Sequence, residues 1–252
     1  MALRIIPKHI QGTGAFNRGQ IIENKPIGFP RDGGHVRPYG NLFYWAKAEA
    51  LVDSTIGLHP HQGFEIMSFV LEGRIRHFDT AHQEWRPLNA GDVQIIRAGK
   101  GIEHSEQMDK DAVIFQIWTD PDLGKTLQQP ASYHDYRAAE FPVIRTDGCE
   151  EIVYVGEGSP LTIDTSPLSI SRMTCIQPFD LESRQDSFTS YYILNGSGTL
   201  NGQSIAEDDF IIVEGKEQIQ FRGDGVLEIF RIVSPVDPGY LTYAQRLQAT
   251  QV

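Results

Sequence analysis

Two histidines one residue apart lie in the stretch Gly57-Leu58-His59-Pro60-His61-Gln62-Gly63-Phe64-Glu65, and the same spacing recurs at His104-Ser105-Glu106. In an extended strand, residues i and i+2 leave the same face, so each pair presents two ligand atoms side by side. Brought together on neighbouring strands, His59, His61, His104 and Glu106 supply three imidazole nitrogens and one carboxylate oxygen. Such a cysteine-free set suits iron(II) first, and then manganese, nickel, copper or zinc. It leaves coordination positions open for substrate or dioxygen.

Glu65 competes with Glu106 for the carboxylate role, because it shares strand parity with His59 and His61. We rank Glu106 as the ligand and Glu65 as an outer carboxylate that orients a ligating histidine or meets substrate. His77 reads as a structural histidine bonded near Asp79, and His9, His35, His82 and His134 read as solvated loop residues. Gln94 and Gln116 read as strand-surface hydrogen-bonding groups. Trp118, on a strand beside the site, reads as core, as do Phe43, Trp45, Phe64, Met67 and Phe69, with an aromatic pocket lining as the alternative for these last five. No nucleophile elbow, phosphate loop or dinucleotide fingerprint occurs, so the chemistry on offer is that of a metal.

The elements that must position these residues are strands. Apolar runs are short, rich in Ile, Val, Phe and Tyr, and punctuated by Gly, Asn and Asp, the pattern of a β-sandwich or barrel. The strands expected are Leu3 to Ile6, Gln20 to Ile22, Leu42 to Ala46, Phe64 to Leu71, Arg74 to Asp79, Val93 to Arg97, Ile102 to Glu106 and Val113 to Trp118. A Pro- and Gly-rich loop covers Lys25 to Tyr39. A linker with a short helical turn near Tyr133 to Ala139 fills Pro121 to Pro142, and a short helix is expected at Leu241 to Ala249.

The second half repeats the first. Val70-Leu71-Glu72-Gly73 is echoed by Ile193-Leu194-Asn195-Gly196, and Ile95 to Lys100 by Ile211 to Lys216. We therefore expect an all-β chain of two tandem barrels: residues 1–120 with the metal, a linker at 121–142, and residues 143–252 as a degenerate barrel with a C-terminal tail. Aligned on the turns, the counterparts of His59 and His61 are Glu182 and Arg184, and those of His104 and Glu106 are Gln220 and Arg222. Residues 143–252 contain no histidine.

The 252 residues are 40% hydrophobic, enough for a sizeable core. A formal charge of -11 and the lack of any basic run exclude broad affinity for nucleic-acid phosphates. The first residues have no apolar run of signal-peptide length, and no segment approaches the roughly 20 apolar residues of a membrane span. Cys149 and Cys175 lack metal or redox spacing and are expected to be separate buried thiols in a reducing compartment. Together these predict a soluble cytoplasmic protein.

Three runs carry a family resemblance. They are His59-Pro60-His61-Gln62-Gly63-Phe64-Glu65 with Val70 to Gly73, Ala90-Gly91-Asp92-Val93-Gln94 with Ala98 to Glu106, and Phe115-Gln116-Ile117-Trp118. Over residues 57 to 120 they resemble the pirin family of the cupin superfamily. The resemblance implies a bicupin, two jelly-roll-like barrels, whose N-terminal barrel holds a metal, usually iron, through His59, His61, His104 and Glu106. It also implies either oxidation of a flavonol such as quercetin with dioxygen or metal- and redox-dependent binding of a transcription regulator or metabolic enzyme. Before the first motif, Pro38 to Trp45 replaces the family's usual Asp-Pro-Phe type of segment. In the enzyme reading, Glu106 takes a proton from a small aromatic substrate.

Overall fold

The computed structural model describes residues 3–165 and 167–249. The first strands in chain order are β1 (Leu3–Ile6), β2 (Gly12–Phe16), β3 (Ile21–Ile27), β4 (Leu42–Ala50), β5 (Ser54–His61) and β6 (Glu65–Glu72). β7 (Arg74–Asp79), β8 (Trp85–Asn89), β9 (Val93–Arg97), β10 (Ile102–Met108) and β11 (Val113–Thr119) follow. After helix α1 (Leu123–Thr126) come β12 (Ser132–Tyr136), β13 (Val143–Thr146), β14 (Cys149–Val155), β15 (Ser169–Cys175) and β16 (Phe179–Glu182). The last are β17 (Ser187–Asn195), β18 (Gly198–Leu200), β19 (Gln203–Ile205), β20 (Phe210–Glu214), β21 (Gln218–Gly223), β22 (Leu227–Pro235) and helix α2 (Tyr243–Ala249). The chain is all-β, as its alternating patterns require, and no described helix is long and apolar enough to cross a membrane.

Two compact units form, one from Gln11–Ala138 with the segment from Tyr240, the other from Ala139–Gly239 with the segment up to Ile10. Each is a pair of sheets. The first barrel has a seven-stranded sheet in the order β12-β9-β6-β11-β4-β3-β2 and a four-stranded sheet β5-β10-β7-β8. The second barrel has β1-β20-β17-β22-β15-β14-β13 and β16-β21-β18-β19. Strands β2 to β11 and β13 to β22 follow the same order, with only the outer edge place filled differently, by β12 in the first barrel and β1 in the second, which makes the internal repeat a property of the topology. In the first barrel, buried side chains from both sheets, among them Ala48, Ile56, Val70, Ile75, Met108 and Ile114, form one core cluster.

The structure departs from the expected boundaries at three places. Residues 3–6 do not open the first barrel; β1 pairs with β20 as an edge strand of the second. Segment 121–142 is not only linker, because Ser132–Tyr136 is strand β12, paired with β9 through Tyr133↔Ile96 and Asp135↔Gln94. Tyr133 and Tyr136 are both buried, and an open sheet edge offers these backbone groups more partners than an isolated helical turn. His134 accordingly lies on a strand, although it is exposed. At the other end, α2 occupies Tyr243–Ala249, within the helix expected there, and belongs to the first barrel.

The cysteines are not the separate thiols expected. Cys149 and Cys175 face each other in the β14–β15 register and are joined by a disulfide. Sequence spacing of 26 residues concealed a contact that strand pairing creates. The two residues therefore supply no argument for a reducing compartment.

Candidate metal centre

The four-stranded sheet of the first barrel sets the site. Along β10 the inward positions are Ile102, His104, Glu106 and Met108, so an ordinary apolar stripe is interrupted by two metal-capable groups. The turn before it needs Gly99, whose φ of 49° is left-handed and whose added Cβ would meet the Gln129 carbonyl at 2.6 Å. β10 pairs antiparallel with β5 so that His104 stands opposite His59 and Ile102 opposite His61. A bulge follows, and Glu106 then faces Ile56.

This register gathers the three predicted imidazoles. Ligand nitrogens of His59, His61 and His104 all lie within 4.8 Å of one another. His61 Nε2 and His104 Nε2 are 2.9 Å apart. Two nitrogens bound at right angles to one ion at about 2.0–2.1 Å would be separated by roughly 2.9 Å, so the donors fit a transition-metal ion. His59 Nδ1 donates to the Gly57 carbonyl at 2.8 Å, which leaves Nε2 with its lone pair. Burial, with a smaller contribution from His59, lowers His61 to about 4. Burial, followed by the neighbouring imidazoles, takes His104 well below the usual histidine range. Both rings are neutral at pH 7 and can donate lone pairs.

Glu106 stands beside this group. Its carboxylate accepts from Ser68 Oγ at 3.0 Å and Gln116 Nε2 at 2.8 Å, and it borders the same pocket as His59 and His61. Burial raises its pKa, and nearby His59 and the two donors offset this in part. Gln116 Oε1 in turn accepts from Trp118 Nε1 at 3.2 Å, and the Trp118 ring lies 4.8 Å from that of His61. Gln116 and Trp118, expected as a surface amide and a core ring, thus line the pocket on one face of β11.

Glu65 is placed elsewhere. The chain turns through Gly63 between β5 and β6, which ends the parity that linked Glu65 to the histidines. Its buried carboxylate accepts from Thr119 Oγ1 at 3.3 Å and pairs with Arg97 Nε at 3.4 Å, its cross-strand neighbour. His77 takes the outer position instead. It is fully buried, with Nε2 3.0 Å from His104 Nδ1 and Nδ1 3.9 Å from Asp79. Its ring stacks on Tyr133 at 4.7 Å and 18°. With the His77 proton on Nδ1, facing Asp79, its Nε2 can accept from His104 Nδ1–H, and that tautomer leaves His104 Nε2 open. The sequence signal for this was the parity of His77 with Asp79 on β7.

The second barrel fills the corresponding space with hydrocarbon. Its turn at Gly196 corresponds to that at Gly73, and Glu106↔His77 in the first barrel matches Phe221↔Leu200 in the second. The counterparts of His104, Glu106 and His77 are therefore Ile219, Phe221 and Leu200, all fully buried in one apolar cluster. His59, opposite His104, corresponds to Leu181, opposite Ile219. The expected counterparts Glu182, Gln220 and Arg222 are one residue out of register, and one residue exchanges the inner face for the outer.

Residues 36–119 match the family model described as Pirin. A Zymomonas mobilis protein with the provisional name quercetin 2,3-dioxygenase is 30% identical over 132 residues, 52% of each chain. A Caulobacter vibrioides pirin-like protein is 38% identical over 93 residues, 36% of this chain and 33% of its own. The chain thus spans about half or less of the length of these relatives. Among solved structures, a quercetin 2,3-dioxygenase from Acinetobacter baumannii aligns with a TM-score of 0.78 at 20% identity, covering 93% of this chain and 79% of that one. A bacterial pirin from Escherichia coli, solved with nickel(II), gives 0.74 at 20% identity over 92% and 99%. At these identities the structures speak for the fold, the two-barrel cupin.

Proposed function

From the premise that this chain carries a pirin-family domain at residues 36–119 on a two-barrel cupin fold, we propose that it is a metal-dependent dioxygenase for an aromatic substrate, with flavonols such as quercetin as the first class to test. The observation that carries the reading is the convergence of the imidazole nitrogens of His59, His61 and His104, with Glu106 beside it and an aromatic pocket in front. His59, His61 and His104 would hold the ion, iron(II) by preference, with Glu106 as a fourth ligand when its carboxylate turns from Gln116. The metal supplies Lewis acidity and a fixed place for substrate oxygens and dioxygen.

The chain's own groups do the remaining work. Phe29, Tyr44 and Trp118 line the pocket and give a flat ring apolar surface while excluding water. Glu106, whose pKa is raised by burial, can accept a proton from a substrate hydroxyl at either carboxylate oxygen. Ser68 and Gln116 hold that carboxylate on the pocket side, and His77 holds His104. Names of relatives that include quercetin 2,3-dioxygenase support the choice of substrate.

The test is oxygen consumption by iron-loaded protein with quercetin. Turnover that disappears in His59→Ala and in His104→Ala is the expected outcome. Full iron occupancy without oxygen uptake removes the flavonol dioxygenase reading.

A further inference from the structure

The pocket before the imidazoles has a second polar wall, on which Glu23, Lys25 and Arg31 meet the cavity. Lys25 Nζ lies 3.1 Å from Glu23 Oε2 and 3.3 Å from Asp32 Oδ2, and all three side chains are at least nine-tenths buried. Tyr44 donates to Glu23 Oε1 at 3.2 Å. Buried ion clusters lose in desolvation much of what they gain in attraction, so stability is a weak reason to keep one beside a cavity. Space is reserved for it: a Cβ on Gly14 would sit 2.6 Å from Lys25 Nζ, although Gly14 has no left-handed backbone angle.

The cluster also fixes a cation at the mouth. Asp32 Oδ2 accepts from Phe29 N at 2.8 Å and so closes the turn that carries Arg31. The Arg31 guanidinium stands 5.5 Å from the Phe29 ring centroid. Lys25 is already matched by two carboxylates. Among the described residues, Arg31 has no carboxylate partner, and it is exposed where it lines the pocket. The volume is about 210 Å³, below the roughly 300–1,000 Å³ of pockets that hold drug-sized ligands.

We propose that the substrate is a single-ring aromatic acid, with catechol or enol oxygens at the imidazole end and a carboxylate received by Arg31 at the other. Phe29, Tyr44 and Trp118 flank the ring between these two ends. The inference rests on the imidazole cluster being the metal and reaction site, and it narrows the substrate of that site.

The test is calorimetric titration, without oxygen, of nickel-loaded and metal-free full-length protein with 3,4-dihydroxybenzoate, its neutral amide 3,4-dihydroxybenzamide, and quercetin. A charge-assisted hydrogen bond at an exposed guanidinium predicts roughly 10-fold tighter binding of the acid than of the amide. In Arg31→Met this preference should fall below about twofold through loss of acid affinity alone, and Arg31→Lys should keep part of it. Equal affinities in the unaltered protein, no measurable binding of the acid, or a preference that survives Arg31→Met would overturn the proposal. Tighter binding of quercetin than of the acid would overturn its single-ring part. If the acid preference is present but neither compound responds to nickel, the metal-site reading fails while the Arg31 contact stands.

Discussion

Replacing His77 by leucine tests whether the site extends beyond the groups that would touch a metal. The imidazole is fully buried, and its Nε2 is the partner of His104 Nδ1 at 3.0 Å. Leucine has similar bulk and can still pack on Tyr133, so the main loss is the hydrogen bond. A buried N–H left without its partner costs about 1–3 kcal/mol. If that cost falls on the orientation and tautomer of His104, metal affinity should drop roughly 10- to 100-fold, the range found for partners of ligating histidines and equivalent to about 1.4–2.7 kcal/mol. The assay is competition for nickel(II) or iron(II) against a chromogenic chelator, with melting curves to establish that the variant is folded. His77→Gln retains an amide oxygen that can accept from His104 and should recover part of the affinity. Unchanged affinity in folded His77→Leu, or equal losses in Leu and Gln, would refute the argument that His77 acts by accepting this hydrogen bond.

Other perturbations read separate parts of the molecule. Glu106→Gln keeps a group of the same shape between Ser68 and Gln116 but removes the base, so kcat should fall by roughly 10²–10⁴; metal content measured alongside distinguishes this from loss of the ion. In Cys175→Ser the 26-residue separation of the disulfide predicts a loss of about 3–4 kcal/mol in the chain-entropy account, and urea unfolding with and without reductant should show it in the unaltered protein only. Asp120, whose carboxylate accepts from Ala244 N at 3.3 Å, is raised to about 6, chiefly by burial. The folded state therefore keeps a proton that the unfolded chain releases near pH 4, and this contribution to stability is lost as pH rises through about 6. The melting temperature should fall relative to Asp120→Asn between pH 4.5 and 7.5, and parallel curves for the two proteins would exclude it.

Strand periodicity is legible in the chain before any fold is known. His59 with His61, and His104 with Glu106, share faces because side chains alternate with period two, and this needs no knowledge of the partner strand. The same local logic yielded short strands, their turns, the repeat and the C-terminal helix. Everything that depended on pairing waited for the tertiary structure. Opposition of His104 to His59, contact between Cys149 and Cys175, and pairing of β1 with β20 join residues distant in the chain. His77 was visible as a buried histidine, but only the β7–β10 register put it behind His104. Glu65 was lost to the site at the Gly63 turn, where parity ceased to run through the chain. The second barrel is the clearest case: a one-residue error in register read Glu182, Gln220 and Arg222 where the fold places Leu181, Ile219 and Phe221. Side-chain parity is local, whereas register is fixed by the partner strand, and a shift of one residue turns every side chain to the opposite face.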